Sequence, residues 1–292
     1  MAQKQIVAYL GPRSSYSHQA ALDCFDPEAF EFHPQVTIAD IFSAVQTRST
    51  TYGVVPFENS TNGSVVFTLD LFCDRDGLFS DVQVVSEAYL DVHHCLLGLP
   101  RPAPLSPANV TKIYSHPQAF GQCEKFLTKH LKGVERVDVS STSKAAEIVK
   151  REPGAVAIAS RIASEVHGLD ILAPNIEDSP DNTTRFLVLS TGEAQESNYD
   201  GGERRDKTLI GFTIDHARPG ALCDSLRVFK DHGLNLTSIA SRPSRVTPWN
   251  YIFFVEFSGH KEEDGVKKAV KEMADYCLGY RVWGSFRDRQ KR

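Results

Sequence analysis

The sequence contains no long apolar run. None of its 292 residues lies in a segment that approaches the ~20 apolar residues of a membrane-spanning helix. The first ten residues also lack the basic and apolar regions of a secretory signal, and the Arg- and Ser-rich pattern of an organelle transit peptide. These absences argue against a membrane-embedded or secreted protein and predict a cytoplasmic location.

Signatures of metal, disulfide and nucleotide sites are missing as well. The six cysteines form no CxxC pair, and the ten histidines form no HExxH pattern. The glycines form neither GxGxxG nor GxxxxGK followed by Ser or Thr, and GxSxG is absent too. We therefore predict reduced thiols, no metal and no cofactor.

Neither positive nor negative residues are in large excess. The 32 Lys and Arg residues and the 37 Asp and Glu residues give a formal net charge of −5. This mild acidity argues against a surface built to bind nucleic acid or a membrane. With 41% hydrophobic and 24% charged residues, the chain has the composition of a globular protein and is long enough for two domains.

One pattern recurs over the first two thirds of the chain. A short apolar run is followed by Gly, Ser or Thr, and then by apolar residues at helical spacing. Short strands that alternate with helices predict an α/β fold with a largely parallel sheet. The predicted strands are 6–10, 52–56, 110–114, 134–139 and 155–159.

Three other segments organise the chain. Residues 82–97 form a long extended stretch that we expect to cross between two lobes, and the prolines of 100–104 mark a surface loop. The polar stretch 191–206 is the predicted linker between a catalytic domain at 4–190 and a C-terminal domain at 207–287. Such a linker predicts that the catalytic domain folds and retains some activity when it is cut off after Ser190.

The C-terminal domain has a different element order. Strands and helices follow one another as βαββαβ, which is typical of ferredoxin-like domains. The predicted elements are strand 207–214, a helix that opens at 219–222, strands 234–239 and 251–257, helix 266–276 and a last strand near Val282.

Polar turns at 14–17, 59–63 and 115–118 indicate where a ligand could bind. Each follows a predicted strand, and such turns converge on one cleft of an open α/β sheet. Amides at a helix start bind anions. Capping alone explains any single Ser in these turns, but the three turns together favour a small ligand with one or two carboxylates.

The same turns, together with later segments, resemble the motifs of prephenate dehydratases that carry a C-terminal ACT domain. The motifs follow one another in order and with matching spacing over nearly the whole chain. The matching segments are GPRSSYS at 11–17, VPFENS at 55–60 with Gly63, YSHPQ at 114–118 with Gln122 and Cys123, NTTRF at 182–186, GAL at 220–222 and SRP at 241–243.

This resemblance implies a fold and a reaction. The fold would be a two-lobed catalytic unit similar to periplasmic binding proteins, followed by a ferredoxin-like βαββαβ ACT domain. The enzyme would be a lyase of L-phenylalanine biosynthesis that removes CO₂ and the ring hydroxyl from prephenate to give phenylpyruvate. No helical chorismate mutase segment precedes Ile6, so we expect a single activity.

The resemblance also implies catalytic residues. Thr184 would be the catalytic threonine, hydrogen-bonding or donating a proton to the departing hydroxyl. A free threonine hydroxyl is a very weak acid, so we expect Thr184 to act within a network. Asn59, Ser115 and Gln122 would orient the substrate.

Further substrate contacts are implied around these residues. Arg185 offers a planar fork for a carboxylate, or an ion pair that holds the turn. Phe186 belongs to the same motif and is expected either at the substrate or in the core. The remaining expected substrate contacts are Ser15, Ser60, Thr61 and Gly63.

The ACT resemblance implies L-Phe as an effector and a homodimer or homotetramer assembled through ACT domains. Two positions depart from the family motifs. Ser14 replaces a glycine, which matters if that glycine has a positive φ. Ala240 replaces the glutamate of the effector motif, and we still expect inhibition because the backbone turn and Asn235 remain. The expected L-Phe contacts are Gly220, Ala221, Leu222, Asn235, Leu236, Ser241 and Arg242.

Two other functions fit the same residues. An arogenate dehydratase performs the same chemistry on the aminated substrate, and the residues alone do not decide between the two. A non-catalytic two-lobed sensor would also use anion-binding turns. The combination of Thr184 with Asn59 and Gln122 favours an enzyme.

Overall fold

The computed structural model describes residues 4–100, 105–192 and 205–290. Its strands form three sheets: one in each of two lobes and one in the C-terminal part of the chain. The loop expected at 100–104 and the linker expected at 191–206 lie largely outside the described residues.

The first lobe contains β1 (Gln5–Leu10), α1 (Tyr16–Cys24), β2 (Phe30–Gln35), α2 (Ile38–Gln46), β3 (Tyr52–Asn59), β4 (Gly63–Ser64), α3 (Val66–Phe72), β5 (Gln83–Asp91) and β11 (Thr183–Ser190). The strand order is β2-β1-β3-β11-β5, and β4 pairs with β3. β1, β2 and β3 are parallel, whereas β11 runs antiparallel between β3 and β5. The predicted α/β lobe is therefore confirmed.

The second lobe contains β6 (Cys95–Gly98), β7 (Lys112–Ser115), α4 (Pro117–Gln122), α5 (Glu124–His130), β8 (Glu135–Asp138), α6 (Thr142–Val149), β9 (Val156–Ala159), α7 (Arg161–His167) and β10 (Asp170–Ala173). Its strand order is β10-β6-β9-β7-β8. The extended stretch 82–97 comprises β5, a short connection and β6, so it crosses between the two sheets as expected.

The C-terminal part has the predicted βαββαβ order. It consists of β12 (Asp206–Thr213), α8 (Ala221–Asp231), β13 (Leu236–Pro243), β14 (Tyr251–Ser258), α9 (Asp264–Ala274) and β15 (Gly279–Arg287), with the strand order β13-β14-β12-β15. Residues of both helices, including Phe229 and Met273, pack in one core cluster with strand residues such as Val255 and Phe257.

The C-terminal sheet also packs against the first lobe. Leu209, Phe254, Trp283 and Phe286 of this sheet belong to one buried cluster with apolar residues of the first lobe. The ring centroids of Phe72 and Trp283 lie 4.8 Å apart. The lobe residues of this cluster include Phe42, Val82, Val84, Leu187 and Leu189. A cut after Ser190 would expose this apolar surface. Independent folding of the catalytic domain stays a prediction.

Backbone contact at Gly284 shows how close the two parts are. A Cβ atom built at Gly284 of β15 would lie 2.0 Å from the carbonyl oxygen of Val84 in β5. Only a residue without a side chain fits between these two strands. No helix among the described residues is long and apolar enough to span a membrane.

Candidate active site

One edge of the first sheet collects the polar side chains predicted from the sequence. β1, β3 and β5 all end at this edge, because β11 is antiparallel to both β3 and β5 and begins there. Thr184 at the start of β11 is the register partner of Asn59 at the end of β3. Sheet topology thus brings together two residues that are 125 positions apart in the sequence.

Asn59 is fixed by hydrogen bonds within the protein. Its side-chain oxygen accepts from the backbone amides of Thr61 at 3.0 Å and Asn62 at 2.9 Å. Because backbone amides only donate, the opposite atom of the side chain must be the nitrogen. That nitrogen donates to Asn182 Oδ1 at 2.7 Å and to Thr184 Oγ1 at 2.9 Å. Both of its hydrogens are therefore engaged.

The hydroxyl of Thr184 is consequently an acceptor in this pair. A hydroxyl has one proton and two lone pairs, and the Asn59 bond uses a lone pair. No described residue accepts a hydrogen bond from Thr184 Oγ1, and the side chain is half-buried. Its proton is available to a ligand at the sheet edge.

A second chain of hydrogen bonds links the two lobes. The hydroxyl of Tyr16 in α1 lies 2.8 Å from Nδ1 of His94, and Nε2 of His94 lies 2.7 Å from Oε1 of Gln122 in α4. The Gln122 oxygen only accepts, so Nε2 of His94 carries the proton and Nδ1 is the acceptor. The Tyr16 hydroxyl also lies 3.0 Å from the carbonyl of His93. The Tyr16–His94–Gln122 chain therefore spans from one lobe to the other.

The orientation of Gln122 follows from this chain. Its Oε1 is held by His94, and no described residue accepts from its Nε2. The amide hydrogens of Gln122 are thus available to a ligand. A neutral His94 is required, and burial lowers the pKa of His94 below its usual value. Burial also raises the pKa of Tyr16 well above its usual value, which keeps the hydroxyl protonated.

Glu177 forms hydrogen bonds with the segment that connects β5 to β6 and so links the two lobes. One of its oxygens lies 2.7 Å from Nδ1 of His93, and the other accepts from the backbone amide of His94 at 2.9 Å. Burial opposes ionisation of Glu177, but the hydrogen bonds from His93 and His94 outweigh it and lower the pKa of this carboxyl. The pair of adjacent histidines is thereby fixed at the crossing point.

The turn before α1 contains a non-glycine residue in the left-handed conformation. Ser14 adopts a φ of 69°, the left-handed conformation expected for the glycine it replaces. Its backbone carbonyl accepts from Ser160 and its hydroxyl lies 3.2 Å from Nε2 of His167, both in the second lobe. Ser15 caps α1, accepting from the amide of His18 and donating to the carbonyl of Leu10.

Ser115 is placed differently from the residues at the sheet edge. It is fully buried, and its hydroxyl donates to the carbonyl of Ile158 at 2.9 Å. His116 rather than Ser115 caps α4. The geometry therefore gives Ser115 a structural bond between β7 and β9, and its expected contact with substrate stays a prediction.

The turn after β3 supports β11. The hydroxyl of Ser60 donates to the carbonyl of Asp181 and accepts from the amide of Thr183. Thr61 donates its amide to Asn59, and Gly63 has a φ of 76° in an open position. Expected substrate contacts of Ser60, Thr61 and Gly63 remain predictions, since each has a visible part in shaping this turn.

Two residues of the NTTRF segment lie away from the sheet edge that carries Thr184. Arg185 points away from Thr184, is 6% exposed, and is held by Glu87 and Glu256. The alternative of an ion pair, rather than a carboxylate-binding fork, is the one that fits. Phe186 is 1% exposed and packs in a core cluster with Val7 and Tyr9, so it lies in the core.

The expected effector residues occupy two separate ends of the C-terminal sheet. Gly220, with a φ of 83°, caps the start of α8, and Ala221 and Leu222 are the first two residues of that helix. Asn235 and Leu236 follow the helix at its opposite end. One chain does not bring these two groups together.

Arg242 is likewise engaged within the chain. Its guanidinium donates to both oxygens of Asp70 in α3, at 2.8 and 3.1 Å, and so faces the first lobe. Ala240 packs against the shared core on the same side, whereas Ser241 is exposed. The alternation of β13 separates Ser241 from Arg242, and Arg242 is occupied by an ion pair rather than open to an effector.

Sequence reasoning missed the roles of Tyr16, His94 and Glu177. The adjacent histidines at 93 and 94 in the crossing segment could have indicated a hydrogen-bonded or titrating group between the lobes. No spacing, however, relates His94 to Gln122, since the contact arises from lobe packing.

Comparisons with known proteins agree with this geometry. The family model described as prephenate dehydratase matches residues 7–194, and the ACT domain model matches residues 214–275. The chain is 43% identical over 286 residues to a bifunctional chorismate mutase/prephenate dehydratase of Aquifex aeolicus, covering 98% of this chain and 74% of that protein. It is 35% identical to a prephenate dehydratase of Methanocaldococcus jannaschii, covering 96% and 97% of the two chains.

A solved structure is similar over the same extent. The crystal structure of prephenate dehydratase from Arthrobacter aurescens in complex with L-Phe superposes with a TM-score of 0.84 at 26% identity, covering 98% of this chain and 92% of the other. The two lobes and the C-terminal domain thus recur together in a protein with a bound amino acid.

Proposed function

The chain belongs to the prephenate dehydratase family, and we propose how the residues described above carry out the family's reaction. The protein is a lyase that converts prephenate to phenylpyruvate in L-phenylalanine biosynthesis. The prephenate dianion takes up one proton and yields the phenylpyruvate monoanion, CO₂ and water. The electrons of the broken carbon–carboxylate bond form the aromatic ring as the ring hydroxyl departs.

The observation that carries the mechanism is the direction of the Asn59–Thr184 hydrogen bond. Asn59 donates to Thr184 Oγ1 at 2.9 Å, which leaves the threonine proton for the departing hydroxyl. Aromatisation drives the reaction, so the protein mainly orients the dianion and stabilises the negative charge that develops on the leaving oxygen. Asn59 acts here as a positioning residue for Thr184.

Gln122 supplies the second oriented donor. His94 holds its oxygen at 2.7 Å, so its nitrogen donates to a carboxylate or carbonyl of the substrate. Because Tyr16 and Gln122 belong to different lobes, the Tyr16–His94–Gln122 chain also sets the distance between the lobes. Closure of the cleft on the substrate would place the substrate between this chain and Thr184.

Regulation by L-Phe and assembly through the C-terminal domain complete the proposal. The amides at the start of α8 suit a carboxylate, and the positive φ of Gly220 leaves room for close approach of a ligand. Asn235 and Leu236 lie at the far end of the same sheet, so a second subunit would supply them to the site. β13 is an edge strand with exposed Leu236 and Ile239, which suits pairing with another copy.

The test compares the rates at which the protein converts prephenate and arogenate, measured in parallel. Phenylpyruvate is followed by its ultraviolet absorbance in base, and phenylalanine from arogenate is followed by amino-acid analysis. We expect prephenate to be consumed with the higher kcat/KM. Stoichiometric binding of prephenate without product would identify the non-catalytic sensor instead, and preference for arogenate would reverse the substrate assignment.

A further inference from the structure

Thr184 and Arg185 are neighbours in β11, and their side chains point to opposite faces of the first sheet. Thr184 is bonded to Asn59 at the sheet edge, whereas Arg185 is buried against the C-terminal sheet. Nε of Arg185 donates to Glu87 at 2.8 Å, and its Nη2 is bonded to Glu256. The guanidinium is therefore anchored on two sides.

Glu256 comes from β14 of the C-terminal domain and is 2% exposed. Besides Arg185 it contacts Lys207 of β12 at 3.5 Å and accepts from the hydroxyl of Thr237 in β13 at 2.9 Å. Lys207 in turn contacts Glu87 at 2.9 Å. Each charge in this cluster has an opposite partner, as buried charges require.

The backbone ladder is irregular where Arg185 lies. Between β11 and β3 the register shifts after Arg185: Arg185 pairs with Glu58, but Phe186 pairs with Pro56. Proline cannot donate a hydrogen bond to the ladder. The side-chain anchor of Arg185 therefore contributes to the position of the strand directly beside Thr184.

A polar cavity of about 550 Å³ adjoins this anchor. Its lining includes Glu256, Thr237 and Ser238 of the C-terminal domain, together with Ser60 and Thr183 of the active-site turns. The Glu256 side chain forms part of the wall of this cavity. It also separates the edge strand β13 from the turn that carries Asn59.

We propose that Glu256 is a positioning residue for the reaction: it reaches across from the C-terminal domain, holds Arg185, and thereby aligns the hydroxyl of Thr184. The inference rests on the proposed function, in which Thr184 serves the departing hydroxyl. Through Glu256 and Arg185, a change in the C-terminal domain could alter the position of the Thr184 hydroxyl. Thr237 directly follows the predicted effector segment at 235–236, so a displacement of β13 would alter the hydrogen bond from Thr237 to Glu256.

The experiment is a double-mutant cycle with prephenate as substrate. Glu256→Gln keeps the shape of the side chain and removes its charge, and kcat and KM are measured with Thr184 and with Thr184→Ala. We expect Glu256→Gln to lower kcat about 10-fold at an unchanged KM when Thr184 is present, and less than about 2-fold in the Thr184→Ala protein. Enzyme concentration is raised to compensate for the slower turnover of the Thr184→Ala proteins.

A control separates alignment from general destabilisation. Thr208→Val removes the hydrogen bonds of the Thr208 hydroxyl with the Gly259 carbonyl and the Ser285 hydroxyl, neither of which contacts Arg185, and we expect kcat to stay unchanged. If Glu256→Gln does not fold by circular dichroism, Glu256→Asp is measured in the same cycle, because it keeps the charge and shortens the reach. Equal losses of kcat in both Thr184 backgrounds would overturn the proposal. Absence of prephenate turnover in the unmodified protein would instead overturn the proposed function.

Discussion

The side-chain nitrogen of Asn59 lies 2.9 Å from the hydroxyl oxygen of Thr184, and this hydrogen bond can run in only one direction. The opposite end of the Asn59 amide accepts two backbone N–H groups, so its nitrogen must donate. Thr184 therefore accepts, and its own proton is available to a ligand. The orientation of the Asn59 side-chain amide thus determines whether the Thr184 hydroxyl can donate a hydrogen bond to a ligand.

Asn59→Asp tests this polarity. A carboxylate keeps the bonds from the amides of Thr61 and Asn62 but cannot donate to Thr184. The Thr184 hydroxyl would then donate to Asp at 59, and its proton would be lost to the substrate. We expect kcat for prephenate to fall about 10²-fold. Asn62→Asp adds the same charge at an exposed neighbouring position and should change the rate by about 2-fold or less. Similar rates for both variants would contradict the assignment.

The His94→Gln variant tests the Tyr16–His94–Gln122 chain through pH. Burial holds the pKa of His94 below its usual value of about 6.5, so an unfolded chain binds more protons than the folded one just below that pH. The stability that neutral His94 contributes is complete above about pH 6.5 and is lost as the pH falls, at up to about 1.4 kcal/mol per pH unit.

The measurement is the free energy of unfolding at pH 7.5 and pH 5.5, compared between variants. The unmodified protein should lose more stability on acidification than His94→Gln does. His33→Gln, at an exposed position of β2, serves as the control and should match the unmodified protein. An identical pH dependence in His94→Gln would show that His94 does not titrate as described.

Gly284→Ala tests the shared core. The added Cβ would lie 2.0 Å from the carbonyl oxygen of Val84, so β15 must move away from β5. We expect the free energy of unfolding to fall by about 1–3 kcal/mol, the usual cost of overpacking. Gly279→Ala lies in the same strand with open space around it and should be close to neutral. Equal stabilities would mean that the two domains do not pack as tightly as described.

Gly220→Ala tests the effector turn. A side chain at a φ of 83° strains the start of α8 and narrows the approach of a ligand carboxylate. We expect L-Phe to inhibit the unmodified protein, and about 10-fold more L-Phe to be needed for half-inhibition of Gly220→Ala. Gly133→Ala introduces similar strain, at a φ of 85°, in the second lobe and should leave the L-Phe response unchanged. A flat response of the unmodified protein up to millimolar L-Phe would refute the effector assignment.

Much of this arrangement could be read from the sequence, because it depends on local chemistry. Alternating strands and helices predicted the lobes, and the βαββαβ order predicted the C-terminal domain. The N-cap role of Ser15 follows from its position directly before a predicted helix. These features need no knowledge of distant contacts.

What the sequence did not predict depends on packing between distant segments. Arg185 has Glu87 and Glu256 as partners, and the second comes from another domain. Arg242 was expected at an effector and is bound instead to Asp70 of α3. The polar linker suggested independent domains, but Trp283 and Phe286 share a core with the first lobe. Neither pattern nor spacing carries this information.

The most direct test of the central claim is the rate of prephenate turnover by Thr184→Ala and Thr184→Ser. Serine keeps the hydroxyl that Asn59 orients, and alanine removes it without adding bulk. We expect Thr184→Ala to lower kcat by about 10²–10³-fold while circular dichroism shows an unchanged fold. Thr184→Ser should retain measurable activity well above that of Thr184→Ala. Turnover by Thr184→Ala at the rate of the unmodified protein would contradict the claim that this hydroxyl serves the departing group.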